Sequence, residues 1–242
     1  MKVLKKRKKH KRGYPIAILV GIEETHSVIW KIFSRIVKPI KTLYLEGTRS
    51  NPKALYNFHE LIINTLRPTL KEGTRSIILV SPQKTTFSIE FAEHIRHHHK
   101  WLIQGPNKAE FAEITGSATK LSHVYKLTRS PIFQQIINLI TAEETENLIE
   151  LLEKLLNTSE NENCIVFSLE EIETQIINKN KPDRIPEYLL ITDKYLSESK
   201  EKSRLHRLMQ IAANRKIKIR VVNAESPAGT RLSQLGGIVG MG

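Results

Sequence analysis

Aspartate is almost missing from this chain: Asp183 and Asp193 are the only two. That scarcity argues against a two-metal nuclease, which needs several carboxylates converging on ions about 4 Å apart. The single cysteine, Cys164, excludes an internal disulfide and any multi-cysteine zinc site. Nothing at the N-terminus reads as a secretory apolar segment, so a cytoplasmic protein is expected. No apolar run approaches the roughly 20 residues a membrane helix needs, and no membrane partner is expected. A GxxxxGK[ST] loop is absent, and no helix follows the glycines of LGGIVG on which a phosphate could sit. No Ser-His-Asp or Cys-His arrangement can be argued, and Cys164 reads as a small buried hydrophobe.

What the chain does have is positive charge, unevenly spread. Its net charge is +13, and residues 1–12, MKVLKKRKKHKR, hold eight Lys/Arg and no acid. Residues 141–242 hold fourteen against sixteen, so the basic surface is N-terminal. Charges this close repel and cannot be buried, which makes residues 1–12 a basic tail, disordered when free. Lys5, Lys6, Arg7, Lys8, Lys9, Lys11 and Arg12 are the candidate RNA-binding residues, able to neutralise phosphates and release counterions. A solubilising or targeting tail is the plainer alternative.

Length suits two ordinary domains. YPIAILVG, HSVIWKIF and IKTLYLEG read as three successive strands. Asn51-Pro52 then caps a helix whose Leu55, Phe58, Ile62 and Leu66 recur at helical spacing up to Pro68. SIILV is a buried strand, and Phe87, Phe91 and Ile95 stripe a second helix. WLIQ and EFAEI are candidate strands, and TGS a turn before a short helix. A longer helix is expected from Thr141, where Thr141 and Glu144 have capping-box spacing; Ser168 and Glu171 repeat that signal after CIVF. YLLITD is an apolar strand, and a helix follows from about Lys200 to Ala213. KIKIRVV alternates, which predicts a wet basic face of Lys216, Lys218 and Arg220. The order implies two α/β domains, over residues 13–135 and 136–242. The terminal RLSQLGGIVGMG reads as a glycine-paired turn into an edge or closing strand.

Candidate chemistry is sparse. His94 and His98 stand at the i, i+4 spacing of zinc ligands, but no acid lies between them in an HExxH pattern, and His97, Arg96 and Lys100 crowd the same stretch. The cluster His94, His97, His98 and His99 therefore reads as a solvated or RNA-facing helix end. Glu23, Glu24 and Glu46, at strand ends, read as solvated turn carboxylates. No catalytic residue, metal or cofactor is expected, and a binding protein is favoured over an enzyme.

YLLITDKYL and RLSQLGGIVGMG, about fifty residues apart, resemble the LLxTDxLL strand and terminal LxxLGGIxAxLR of the Pelota and archaeal/eukaryotic-type class-one release factor family. SPQKTTFSIEFAEHI, EITGSATKLSHVYKL and TAEETENLIELLEKLLN are similar to further segments of that family. The resemblance implies a ribonuclease-H-like mixed-sheet middle domain without catalytic acids. It also implies an α/β/α C-terminal domain like the small kink-turn-binding ribosomal proteins. Its implied partners are the ribosome and rRNA, an elongation-factor-1A-type GTPase and an ABC-type recycling ATPase. Here only the basic tail precedes YPIAILVG, where the family has a decoding-site domain. In place of the release factors' Gly-Gly-Gln loop stands GTRSNPKALYNF, and Gln83 and Gln104 match nothing, so peptide release is not expected. The resemblance makes Gly47, Thr48, Arg49 and Ser50 the ribosome- or GTPase-facing loop. The expected function is rescue, recycling or occupancy of stalled or idle ribosomes by binding. The alternatives are an RNA-binding module outside translation, a divergent metal-dependent nuclease and a peptidyl-tRNA hydrolase.

Overall fold

A computed structural model of the chain describes residues 14–105, 108–157, 165–177 and 185–242. The basic residues Lys5 to Arg12, and Cys164, lie outside the described residues.

The chain begins with an antiparallel meander of β1 (Pro15–Ile22), β2 (His26–Phe33) and β3 (Val37–Tyr44). Helix α1 (Pro52–Lys71) then crosses to β4 (Ser76–Ser81), parallel to β1, and α2 (Phe87–His98) leads on to β5 (Glu110–Thr115), parallel to β4. The sheet order is β3-β2-β1-β4-β5, mixed as the sequence implies. Alternation along β1 serves both faces: Ile18, Val20 and Ile22 meet Phe58, Ile62 and Phe91 of α1 and α2, while Ala17 and Leu19 point to the opposite core. Edge strand β3 carries Lys38, Pro39 and Lys41, residues that discourage pairing with another chain.

Asn51 caps α1 as expected, its side-chain oxygen accepting from the backbone N–H of Lys53 and Ala54. The helix does not stop at Pro68 but runs on to Lys71. Pro68 lies on the exposed face, where water can satisfy the carbonyl left without an N–H, while Thr69 and Leu70 behind it are buried. WLIQ is not a strand: Lys100–Leu102 form a 3₁₀ turn that buries Leu102 and leaves Trp101 outside, beneath the Arg67 guanidinium.

After the short α3 (Leu121–Thr128), helix α4 spans Pro131–Asn157 without interruption. Its true start is Ser130-Pro131, where the Ser130 hydroxyl oxygen accepts from Phe133 N–H. The Thr141–Glu144 pair is no cap. Thr141 Oγ1 donates back to the Ile137 carbonyl, and Glu144 turns inward. Residue 136 therefore falls inside a helix that serves two cores. Phe133, Ile137 and Ile140 cover the first sheet, and Ile149 and Leu152 the second.

That second sheet has the order β6-β9-β7-β8, from β6 (Ile165–Val166), β7 (Tyr188–Thr192), β8 (Lys218–Val222) and β9 (Ile238–Met241). Helices α5 (Leu169–Ile177) and α7 (Lys202–Asn214) cover one face, with the short α6 (Asp193–Glu198) between β7 and α7. The opposite face is covered by α4 and α8 (Pro227–Gln234). Ser168 caps α5 as read from sequence. Helix α8 was not foreseen, although Ser226 and Pro227 supply its cap and first turn. The wet basic face expected of KIKIRVV survives only at Lys216, which is exposed and precedes β8: Lys218 is half-buried, and Arg220 is buried beneath α4. Gly236 and Gly237, at φ +97° and +80°, turn the chain out of α8 into β9. That strand is no edge; it sits between β6 and β7, antiparallel to both.

Candidate functional site

The loop from β3 into α1 is fastened by one side chain. Arg49 folds inward: its Nη2 donates to the Glu23 carbonyl at 2.8 Å, its Nε to the Glu24 carbonyl at 3.0 Å, and its Nη1 to Glu90 Oε2 on α2 at 2.7 Å. The guanidinium lies 3.8 Å from the centre of the Phe87 ring. Arg49 is thus spent on joining the β1–β2 turn, the loop and α2, and the outward part of the loop is Gly47, Thr48 and Ser50, all exposed. The Thr48 and Ser50 hydroxyls are 2.9 Å apart. Replacing Arg49 by leucine should destabilise the protein by about 2–3 kcal/mol, the worth of its charged hydrogen bonds. A urea midpoint close to wild type would show that water replaces them.

Farther along the same two helices, three side chains converge. Glu60 projects from α1, His94 from α2, and His99 from just past the α2 C-terminus. His94 Nε2 is 3.1 Å and His99 Nε2 2.6 Å from the same oxygen, Glu60 Oε1. All three donor atoms lie within 4.8 Å of one another. His94 and His99 are only 8% and 7% exposed. The expectation of a solvated histidine cluster therefore holds for His97 and His98 and fails for the other two, because α2 rotates His94 onto α1 and the turn after it brings His99 back.

Electrostatics sharpens the arrangement. Burial lowers His94 below the ordinary imidazole value, against the pull of Glu60. Burial raises Glu60, but hydrogen bonds and charge from His99 and His94 outweigh it and hold the carboxyl below its usual range. Neighbouring His59 is pushed down to about 3 by burial, then by His94 and Arg49, and its Nε2 has no hydrogen-bond partner. Glu23, Glu24 and Glu46 form no such group among the described residues: Glu23 accepts the Ser117 hydroxyl at 2.7 Å, and the other two are exposed.

No protein-family model matches this chain, and no curated protein matches its sequence. Among solved structures, archaeal Pelota, in a model bound to the ribosome with ABCE1, superposes with a TM-score of 0.54 at 16% identity. That match covers 93% of this chain and 60% of Pelota. The fold is that of Pelota. Dom34 of Saccharomyces cerevisiae is also similar (16% identity, TM-score 0.49, 96% of this chain and 63% of that one). So is Pelota of Archaeoglobus fulgidus (18%, TM-score 0.42, 95% and 64%). The chain thus spans less than two thirds of the length of these Pelota-type structures. Among the described residues, no helix is long and apolar enough to cross a membrane.

Within this Pelota-like fold, sequence motifs led to the loop Gly47–Ser50 but not to Glu60. Glu60 stands 34 positions before His94, and no spacing rule links a carboxylate on one helix to imidazoles on the next. Its helical phase gave no signal either. Glu60 is two residues from both Phe58 and Ile62, off the apolar stripe they share, and only its contact with α2 makes it part of the group.

Proposed function

We propose that this chain is a Pelota-like ribosome-associated factor that acts in rescue, recycling or occupancy of stalled or idle ribosomes by binding rather than catalysis. What carries the reading is the continuous Pelota-like architecture over 93% of the chain, joined to an N-terminal sequence with eight Lys/Arg and no acid. Archaeal Pelota has been placed on the ribosome with ABCE1, which supports the ribosome and an ABC-type ATPase as partners here. The resemblance of the sequence motifs adds an elongation-factor-1A-type GTPase. Gly47, Thr48 and Ser50 would face the ribosome or that GTPase, with Arg49 holding the loop in shape. Peptide release is not proposed, since the loop carries neither a Gly-Gly pair nor a glutamine.

The tail supplies the electrostatic grip. Each phosphate contact contributes about 0.7–0.9 to the slope of log affinity against log salt. Deleting residues 2–12, with eight cations, should flatten that slope by up to about 7 and weaken binding most at low salt. Co-sedimentation with ribosomal subunits at rising salt measures both. An unchanged slope would show that the tail makes no phosphate contact. If purified chain bound bare structured RNA as tightly as it bound subunits, the reading would give way to an RNA-binding module outside translation.

A further inference from the structure

We propose that Glu60, His94 and His99 form a binding site for one divalent transition-metal ion of the zinc class, with a fourth position open to water. The inference stands on geometry and ligand chemistry and is independent of the ribosome reading.

Two buried imidazoles aim their Nε2 atoms at one oxygen of one carboxylate, at 3.1 and 2.6 Å. A single hydrogen bond would satisfy either ring elsewhere, so this double convergence assembles donors rather than merely pairing them. Zinc–ligand bonds of about 2.0–2.1 Å at tetrahedral angles put neighbouring donor atoms about 3.3 Å apart. The two separations to Glu60 Oε1 need sub-ångström adjustments, and the two imidazole nitrogens, within 4.8 Å of each other, must close by at most about 1.5 Å to accept an ion between them. Two nitrogens and one carboxylate oxygen form a donor set that suits zinc, and three protein ligands leave one position for solvent. The exposed side belongs to Glu60, whose side chain is 26% accessible, so solvent can reach that position.

The rings are also held. His94 lies edge-on to Tyr56 and His59, with centroids 5.1 and 5.0 Å away, and His99 stands at 89° to Trp101. Aromatic walls of this kind fix ring orientation before an ion arrives and lower the local dielectric around it. Because the ligands come from α1, α2 and the turn after α2, an ion would clamp the two helices that Arg49 and Glu90 already join at their N-terminal ends.

The test uses full-length chain stripped with a chelator and titrated with zinc in calorimetric competition, and separately with cobalt(II) followed by visible absorption. Wild type should bind one zinc per chain and show the intense bands of four-coordinate cobalt. Glu60→Gln and the double variant His94→Ala/His99→Ala should each bind at least ~100-fold more weakly, since loss even of a residue supporting a ligand costs 10–100-fold. His97→Ala/His98→Ala should bind as wild type does. Circular dichroism checks folding, and the near-isosteric Glu60→Gln decides the matter if the double variant does not fold. The proposal is overturned if wild type shows no saturable site. It is also overturned if Glu60→Gln binds like wild type, or if binding disappears with His97 and His98 instead.

Discussion

Glu144→Ala is expected to lower stability by about 3–5 kcal/mol, the cost of leaving a buried charge without its partner. Glu144 and Arg220 are 6% and 7% exposed. Arg220 Nε donates to Glu144 Oε1, while Glu144 Oε2 accepts the Ser76 hydroxyl at 2.5 Å. One carboxylate in the middle of α4 thus receives a strand residue from each sheet, Ser76 of β4 and Arg220 of β8. The alanine variant leaves Arg220 with its remaining Nη1 bond to the Ile219 carbonyl and an Nη2 that already has no partner. Arg75 is nearby, its pKa lowered by burial against the opposing charges of Tyr188 and Glu144, so losing Glu144 also takes an anion away from a second, half-buried cation. The companion variant Glu144→Leu/Arg220→Met removes both charges and should recover most of the loss, because apolar replacement of a buried pair is often neutral or better. Urea midpoints for both variants measure the effect. A loss below about 1 kcal/mol for Glu144→Ala would mean that the guanidinium reaches water.

Gly229→Ala should destabilise by about 3 kcal/mol or more, although helix propensity alone predicts a gain of about 1 kcal/mol for the same change. The opposite signs make the measurement decisive. Gly229 lies in the first turn of α8, pressed on the preceding turn. A Cβ there would stand 1.8 Å from the Asn223 carbonyl oxygen and 2.6 Å from its carbon. Those atoms are backbone and cannot swing aside. The same carbonyl accepts from Ser226 N–H and from the Ser226 hydroxyl, and Ser226 Oγ in turn accepts from Gly229 N–H at 3.1 Å. Making room therefore disrupts the cap itself. Leu232, one turn on, is fully buried against the second sheet, so a displaced α8 also opens that core and misplaces the turn into β9. Thermal unfolding of the purified variant would show a higher midpoint than wild type if propensity governed the site.

These two predictions mark where local patterns stop being informative. Period-two and period-3.6 apolar spacing, with short-range caps at Asn51 and Ser168, foretold most of the strands and helices that the structure contains. Their causes lie within a few residues of chain. The paired glycines before β9 were legible for the same reason, since positive φ is a property of one backbone position. KIKIRVV alternates as read, yet Arg220 on its basic face is buried and Lys218 half-buried, because strand alternation cannot say what lies above the strand. Thr141 and Glu144 had capping-box spacing, but Ser130-Pro131 starts the helix earlier and the long-range partner Arg220 claims Glu144.

The residues of greatest chemical interest divide along the same line. The sequence alone determined, through the order of its apolar patterns, that the chain is α/β, and, through composition and charge order, that its cationic excess is N-terminal and that no motif for nucleotide or multi-cysteine metal binding is present. Only the tertiary fold decided that Arg49 turns inward, that His94 and His99 separate from His97 and His98, and that Glu60 meets them. The reason is physical. Secondary structure responds to neighbours along the chain. Burial, ion pairing and donor convergence depend on which helix faces are pressed together, and packing chooses those across tens of residues.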